Sequence, residues 1–223
     1  MNIKNFDGGY PYIIVDDFYD KNELDLIWRE INFLLDGNNL SPPEKTSSAT
    51  NKNGEVKKKN KGIFITPSFV RRKYKNPNYS NILESNKKIF NNFSKMVSDN
   101  PSWFFTSLGS TPSILGKCGT LLSYYEGDDY YKSHWDVSLI TMCIWLYKEP
   151  KKFDGGDFIL NAKLDRDHGL NESCQSQTIK LKNNRMVMFP GFIPHAVTPL
   201  KMDKEFKGMG RFTITNFLHP IPT

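Results

Sequence analysis

The chain has 223 residues and a mass of 25.8 kDa, with 38% hydrophobic residues and 30 Lys+Arg against 24 Asp+Glu. This composition is that of an ordinary globular protein, and it excludes a disordered or fibrous chain. The longest apolar run, Leu139 to Tyr147, is far shorter than the roughly 20 residues that cross a bilayer. The N-terminus also lacks the apolar stretch of a signal peptide. We therefore expect a cytoplasmic protein with no membrane span.

The net charge of +6 is weak support for an anionic partner. It comes from 24 Lys and only 6 Arg, whereas proteins that read nucleic acids rely on Arg for bidentate contacts. Together with 21 Asn, this bias is typical of an AT-rich bacterial or viral genome. The three cysteines, Cys118, Cys143 and Cys174, have no C-x-x-C spacing, which disfavours a disulfide framework and a zinc site. The composition thus disfavours nucleic acid as a partner and leaves the oligomeric state open.

Two long helices are predicted in the first half of the chain. Asp20 and Glu23 have the spacing of a capping box, in which each residue bonds the backbone of the other. Apolar residues from Leu24 to Leu35 then recur at three- and four-residue steps until Gly37 ends the pattern. A similar apolar stripe predicts a second helix from Ser80 to about Ser98.

A long polar segment, Leu40 to Lys61, separates these two helices. Its Pro, Ser, Thr and Lys content predicts a loop that is poorly ordered without substrate. Loops of this length in compact domains are usually functional lids or simply disordered, and both interpretations stay open. The run Lys57 to Lys61 is typical of a solvated surface.

From Gly119 onward, short β-rich segments alternate with turn signals. The predicted strands are Thr120–Tyr125, Val137–Tyr147, Asp157–Asn161, Gln177–Leu181, Arg185–Phe189, His195–Leu200 and Arg211–Leu218. Strands at this spacing favour an antiparallel sandwich or jelly roll. Because the helices precede the strands, we predict a mainly β fold of the α+β class, a double-stranded β-helix with buttressing helices. It forms one domain over 1–223, with a helical support and lid region at 1–118 and a jelly-roll core at 119–218.

His134 and Asp136 are the first candidate metal ligands. In an extended backbone, side chains two residues apart share a face, so both can reach one ion. Alone, the pair is better explained as a surface pair beside a turn. His195 strengthens it, because this third residue follows an apolar strand and a turn at Pro190-Gly191. Two imidazoles and one carboxylate form the facial triad of non-haem Fe(II) oxygenases, which leaves positions open for other ligands.

Arg211 and Thr213 are candidates for binding an anion. They lie two residues apart in a predicted strand and therefore share a face. A guanidinium beside a hydroxyl is well suited to hold a carboxylate in a dry pocket. Fe(II) and Asp136 together carry one positive charge, and Arg211 adds a second. A dianionic cosubstrate therefore neutralises the site.

Taken in order, these motifs resemble those of the Fe(II)/2-oxoglutarate-dependent dioxygenases, in the prolyl-4-hydroxylase-like branch. The resemblance covers nearly the whole chain. The segments that carry it are Val15–Phe18, Leu121–Gly127, His134–Asp136, Thr141–Tyr147, Phe153–Phe158, Arg185–His195 and Arg211–Phe217. Each motif alone is weak, but all of them in the family's order are a strong signal.

The resemblance implies a site as well as a fold. By it, the two histidines and Asp136 bind Fe(II) and form the catalytic centre. Arg211, with help from Thr213, binds the C5 carboxylate of 2-oxoglutarate. Tyr124, ten residues before the first histidine, matches a family tyrosine that faces the cosubstrate, and a core aromatic is an equal alternative. The implied reaction uses 2-oxoglutarate and O₂, releases succinate and CO₂, and hydroxylates an unactivated C–H bond.

Three kinds of function remain open. The resemblance favours hydroxylation of a peptide or protein side chain, most simply a prolyl group. A small molecule or a nucleic-acid base is the second possibility, although the DNA-demethylating relatives carry a second arginine where this chain has Phe217. The third is a jelly roll that binds a ligand without catalysis, which the complete triad disfavours. Since Asp136 is present, halogenation is also disfavoured.

Overall fold

The computed structural model describes residues 2–6, 10–46, 50, 54–110, 115–161 and 176–220. The α-helices in these residues are α1 (Lys21–Asp36), α2 (Pro67–Lys73), α3 (Asn81–Val97) and α4 (Trp103–Ser110). Short 3-10 turns lie at Pro43–Lys45 and Lys204–Phe206. Among the helices described, none has the length and apolar character needed to span a membrane.

The strands in the same residues are all short except two. They are β1 (Asn2–Phe6), β2 (Tyr12–Asp16), β3 (Lys61–Phe64), β4 (Leu115–Tyr125), β5 (Tyr131–His134), β6 (Ile140–Leu146), β7 (Asp154–Gly155), β8 (Phe158–Leu160), β9 (Gln177–Ile179), β10 (Arg185–Pro190), β11 (His195–Val197), β12 (Leu200–Lys201) and β13 (Arg211–Pro220). The predicted strand Val137–Tyr147 is β6, which has the shorter bounds Ile140–Leu146.

Two antiparallel sheets carry the fold. The larger has the order β1-β2-β10-β6-β13-β4-β3, and the smaller has the order β5-β11-β8-β9. One apolar core lies between the larger sheet and helices α1, α3 and α4, and a second core lies between the two sheets. This arrangement confirms the predicted jelly roll with buttressing helices. Strands β1, β2 and β3 come from the first 118 residues, so that region supplies sheet edges as well as helices.

Strand β6 shows how one sequence serves both cores. Ile144 and Leu146 belong to the core beneath the helices, whereas Cys143 and Trp145 belong to the core between the sheets. Because successive side chains of a strand point to opposite faces, a strand covered on both faces is a continuous apolar run. The longest apolar run of the sequence therefore forms a strand that is buried on both faces, with one core on each side.

The capping box predicted for the first helix is confirmed. The amide of Glu23 donates to Oδ1 of Asp20 over 2.9 Å, and the amide of Asp20 donates to Oε2 of Glu23 over 2.8 Å. The second predicted helix is α3, capped by Ser80. Helices α2 and α4 are not among the predicted elements, because seven or eight residues are too few to show a period.

Glu30 is a buried carboxylate that joins α1 to the start of α3. Its Oε1 accepts hydrogen bonds of 2.6 Å from both Tyr74 Oη and Ser80 Oγ, and its Oε2 accepts from the amide of Ile82 over 2.9 Å. Negative charge at a helix N-terminus is favourable, because the amides there have no partner within the helix. Glu30 therefore fixes the position of α3 against α1.

We expect Glu30→Gln to lower the free energy of unfolding by about 2–3 kcal/mol, since the amide group cannot accept all three hydrogen bonds. Urea unfolding followed by circular dichroism measures the change. Glu84→Gln is the isosteric control, because Glu84 is exposed and pairs with Lys87 in the same helix; its effect should stay within about 0.5 kcal/mol. Equal losses for both variants would contradict the role given to Glu30.

The segment that joins α1 to β3 is more structured than its composition predicts. Lys58 forms a β-bridge with Tyr131, the amide of Lys132 donates to the carbonyl of Lys57, and Lys58 and Asn60 are buried. The prediction of a solvated lysine run is therefore wrong for Lys58, because pairing with β5 turns this side chain inward. Residues 47–49 and 51–53 lie outside the described part of the chain, so a lid over 40–61 stays a prediction.

Candidate metal centre

The structure brings His134, Asp136 and His195 together. His195 begins β11 and pairs with His134, which ends the neighbouring strand β5. Nε2 of His134 lies 3.9 Å from Oδ1 of Asp136, and Nε2 of His195 lies 3.4 Å from Oδ2 of the same carboxylate. All three residues offer a ligand atom within 4.8 Å of the others. Two imidazoles and a carboxylate at this spacing can share one divalent ion.

Backbone carbonyls hold both imidazoles in the orientation that a metal requires. Nδ1 of His134 donates to the carbonyl of Lys132 over 3.0 Å, and Nδ1 of His195 donates to the carbonyl of Ile193 over 2.9 Å. With the proton on Nδ1, each Nε2 keeps its lone pair and faces the other ligands. Burial, with help from the neighbouring His195, also holds the pKa of His134 well below its usual range, so the neutral ligand form prevails.

Asp136 is fixed by Thr141, which lies on β6, and by the turn at Gly191. Its Oδ2 accepts a 2.6 Å hydrogen bond from Thr141 Oγ1, and its amide donates to the carbonyl of Gly191 over 2.8 Å. A Cβ at Gly191 would lie 2.1 Å from the carbonyl oxygen of Ser138, so only glycine permits this approach. The turn before His195 and the turn after His134 are therefore locked together, and the three ligands with them.

The three candidate ligands line a cavity that lies between the two sheets. Polar and charged side chains from β4, β13 and the segment before β3 line its walls, among them Ser123, Tyr125, Arg211, Thr213, Thr215 and Lys58. The predicted metal ligands and the predicted anion-binding pair thus share one cavity.

Arg211 is a buried cation with hydrogen-bonding capacity to spare. It is 1% exposed, and its guanidinium carbon lies 5.2 Å from the ring centre of Tyr125 and 5.3 Å from that of Trp145. Nη1 donates to the carbonyl of Gly156 over 2.9 Å. Burial lowers the pKa of Arg211, and the ion pairs found among the described residues do not include it.

Two polar atoms at this end of the cavity have no hydrogen-bond partner among the described residues. They are Nε of Arg211 and Oγ1 of Thr213. Buried polar groups are costly unless they are paired. A guanidinium and a hydroxyl that both face the same cavity fit a carboxylate, which accepts from both. The residues therefore suit the C5 carboxylate of 2-oxoglutarate.

The structure does not bring Tyr124 into the cavity. Its ring stacks on Phe212 with 4.6 Å between centres, and its Oη accepts from the amide of Gly208 over 2.7 Å. Tyr124 therefore packs in the core beneath the helices, which is the alternative that the sequence left open. The neighbouring Tyr125 lines the cavity instead, directly opposite Arg211 in the β4–β13 pairing.

Lys58 is a cavity residue that the sequence did not indicate. Its side chain is 1% exposed, and its Nζ donates to Thr46 Oγ1 over 2.9 Å. Nζ also lies 5.1 Å from the ring centre of Tyr131, and that ring stacks on His134 with 3.5 Å between centres. Burial lowers the pKa of Lys58 to about 8, and the nearby Asp136 opposes this shift.

Comparison with known families finds one match, and it falls on the jelly-roll half of the chain. Residues 120–219 match the family model of the 2OG-Fe(II) oxygenase superfamily. This match confirms the resemblance that the sequence motifs carry. No curated protein matches the chain at significant similarity.

Solved structures with the same fold include known hydroxylases. A prolyl-4-hydroxylase from Pseudomonas putida has a TM-score of 0.59 at 12% identity, over 96% of this chain and 95% of that one. A prolyl hydroxylase from Trichoplax adhaerens, in complex with a peptide fragment of the hypoxia inducible factor oxygen degradation domain, has a TM-score of 0.59 at 13% identity, over 93% and 83%. A 2OG-Fe(II) oxygenase family protein from Burkholderia pseudomallei has a TM-score of 0.50 at 12% identity, over 93% and 84%. At these identities the likeness establishes the fold.

Proposed function

We propose, from the premise that residues 120–219 belong to the 2OG-Fe(II) oxygenase superfamily, that this protein hydroxylates a peptidyl side chain of the prolyl type. The chain is a dioxygenase, and its cofactors are Fe(II), 2-oxoglutarate and O₂. In this proposal His134, Asp136 and His195 hold the iron. Arg211 and Thr213 hold the C5 carboxylate of the cosubstrate.

The buried Arg211–Thr213 pair, in one cavity with the triad, is the observation that carries the cosubstrate assignment. With Fe(II) bound, the charges of Asp136 and Arg211 cancel each other and a dianion neutralises the metal. The carbonyl partner of each imidazole and the Thr141 hydroxyl on Asp136 orient the ligands before the metal arrives. Thr213 and Arg211 then set the distance at which the cosubstrate reaches the metal.

The bound cofactors supply the oxidising chemistry, and the protein supplies position and exclusion of water. The apolar walls of the cavity, which include Phe158, Leu121 and Val197, keep bulk water away from the reacting groups. In such surroundings the charged contacts of Arg211 are stronger than in water.

Exposed apolar side chains beside the candidate metal ligands support a peptide as the substrate. Trp135 and Val137 flank Asp136 in the sequence and are 57% and 84% exposed, and Phe192, beside Gly191, is 56% exposed. Since Asp136 bonds to Gly191, these three side chains lie on two turns that are in contact. Exposed apolar surface of this kind marks an interaction site, and a peptide is long enough to contact it while one residue enters the cavity. Two structural neighbours are named prolyl hydroxylases, which adds support for this choice.

Substrate-stimulated succinate release tests the proposal. We expect proline-containing peptides to stimulate release by the Fe(II)-loaded protein and to gain one oxygen atom, while the same peptides with alanine in place of proline do not. Mass spectrometry of the recovered peptides identifies the modified residue. Stimulation by free metabolites or nucleobases alone would reject the peptide substrate and favour the small-molecule alternative.

A further inference from the structure

The most exposed large apolar side chains among the described residues belong to three segments that contact one another. Trp103, at the start of α4, is 78% exposed, and the other three are Val137, Trp135 and Phe192. Every other exposed apolar side chain of this size in the described residues is at most 45% exposed. Single exposed apolar residues are ordinary, but a contiguous group of them marks an interaction site.

A row of three aromatic rings joins α4 to the turn beside the candidate metal ligands. The ring centre of Phe104 lies 6.0 Å from that of Phe192 and 6.2 Å from that of Trp103, and successive rings are nearly perpendicular, at 85° and 82°. Phe104 also contacts the buried Phe105, with 5.3 Å between ring centres, which anchors the middle ring to the core. We call Phe192, Phe104 and Trp103 the aromatic row.

The aromatic row starts close to the candidate metal ligands and leads away from them. Phe192 is three residues before His195, so their Cα atoms lie at most about 11 Å apart. Trp103 and Phe104 are not among the residues that line the cavity. A polypeptide with one residue at the metal ligands would therefore reach the row within about three or four extended residues and continue along it outside the cavity.

The chemistry of the row favours an uncharged, extended partner. The sequence of α4, Trp103–Ser110, contains no charged residue, although the chain has a net charge of +6. A polyproline II segment advances about 3.1 Å per residue, so two of its residues cover one step of the row. Aromatic-lined surfaces bind proline-rich segments of this kind, because such segments are already extended and lose little conformational entropy on binding.

We propose that the aromatic row binds a proline-rich stretch of the substrate polypeptide, adjacent in sequence to the residue that enters the cavity. This inference rests on the proposed hydroxylase function and adds to it a binding site outside the cavity. By this proposal the preferred substrate is a chain with several prolines in a polyproline II conformation, and an isolated prolyl residue is bound less tightly.

The binding of matched peptides tests the inference without turnover. The protein is loaded with Mn(II) and 2-oxoglutarate, and calorimetry measures the affinity for acetylated peptide amides. The first is a short peptide with a single proline. The second adds a run of about five prolines to it, which presents a pyrrolidine ring to each aromatic ring in any register. The third adds a glycine–serine run of equal length. Each extension is made on the N-terminal and on the C-terminal side.

On one of the two sides, the wild-type protein should bind the proline-extended peptide about tenfold or more tightly than its glycine–serine counterpart. In Trp103→Ala this preference should fall to within about threefold, while the affinities for the short peptide and for 2-oxoglutarate stay unchanged. Trp103→Phe keeps a ring and should retain most of the preference.

Tyr79→Ala is the matched control, because Tyr79 is an exposed aromatic residue that belongs to none of the ring contacts of the row. It should keep the full preference. Thermal unfolding shows that each variant is folded, and sedimentation velocity reports the oligomeric state of the free proteins.

The outcomes separate this inference from the hydroxylase proposal. Equal binding of the two extended peptides by the wild type, or a proline preference that survives Trp103→Ala, overturns the role of the row and leaves the hydroxylase proposal intact where the short peptide gains oxygen. A proline preference that Trp103→Ala removes, in peptides that the Fe(II)-loaded protein does not oxidise, supports the row and rejects prolyl hydroxylation. A wild-type dimer that Trp103→Ala converts to a monomer assigns the row to self-association and overturns the inference.

Discussion

His195→Ala should abolish 2-oxoglutarate turnover while the protein remains folded. The imidazole is buried, and its Nε2 is one of the three ligand atoms that face a common point. Removing a residue that only hydrogen-bonds to a metal ligand typically weakens metal binding about tenfold to hundredfold. Removing the ligand itself should therefore weaken metal binding by at least about a hundredfold. The apolar core between the sheets is contributed by other side chains, which keeps the fold.

Three measurements separate these effects. Electron paramagnetic resonance of Mn(II) reports metal affinity, succinate release reports turnover, and circular dichroism reports the fold. His219→Ala is the control, because His219 lies on β13 and is not among the residues that line the cavity. It should bind metal as the wild type does. Undiminished decarboxylation of 2-oxoglutarate by His195→Ala would refute the triad.

Arg211→Gln should weaken 2-oxoglutarate binding by two to three orders of magnitude with little change in metal affinity. The variant keeps a hydrogen-bond donor but removes the charge, which leaves the C5 carboxylate buried with an incomplete partner. Breaking a buried charge pair from one side costs about 3–5 kcal/mol, and each 1.4 kcal/mol is about tenfold in affinity.

Anaerobic titration of 2-oxoglutarate into the Fe(II)-loaded proteins, followed by the metal-to-ligand charge-transfer band, measures this affinity. Arg185→Gln serves as the control. That arginine forms a bidentate pair with Asp16, with bonds of 2.6 and 3.0 Å, and does not line the cavity. The control should keep the affinity for 2-oxoglutarate even where it loses stability. A change within about threefold in Arg211→Gln would move the carboxylate role to another cation, with Lys58 the first to test.

Local signals predicted the parts of this protein that depend on neighbouring residues. The capping box at Asp20 and Glu23 involves residues that are three apart, and β6 coincides with a continuous apolar run in the sequence. The His134–Asp136 pair is also local, and His195 could be added because a turn and an apolar strand precede it. The fold and the candidate ligands were therefore within reach of the sequence.

Features that depend on how distant strands pair could not be predicted from the sequence. Tyr124 and Tyr125 are adjacent and chemically alike, so only the pairing of β4 with β13, which places Tyr125 opposite Arg211, shows which one faces the cavity. Lys58 sits in a lysine-rich segment that has the composition of a solvated surface. Its burial comes from pairing with Tyr131, far along the chain, and no local pattern records that contact.

The position of β13 has a consequence for how the protein is made. This strand is the last one in the described chain, yet it lies at the middle of the larger sheet, between β6 and β4. During synthesis β4 and β6 leave the ribosome before β13. Until β13 follows, the edge of each strand that pairs with β13 has no partner strand. Unpaired strand edges of this kind are prone to aggregation. Completion of the sheet and placement of Arg211 in the cavity wall are thus one event, so the proposed cosubstrate site forms only when β13 joins the sheet.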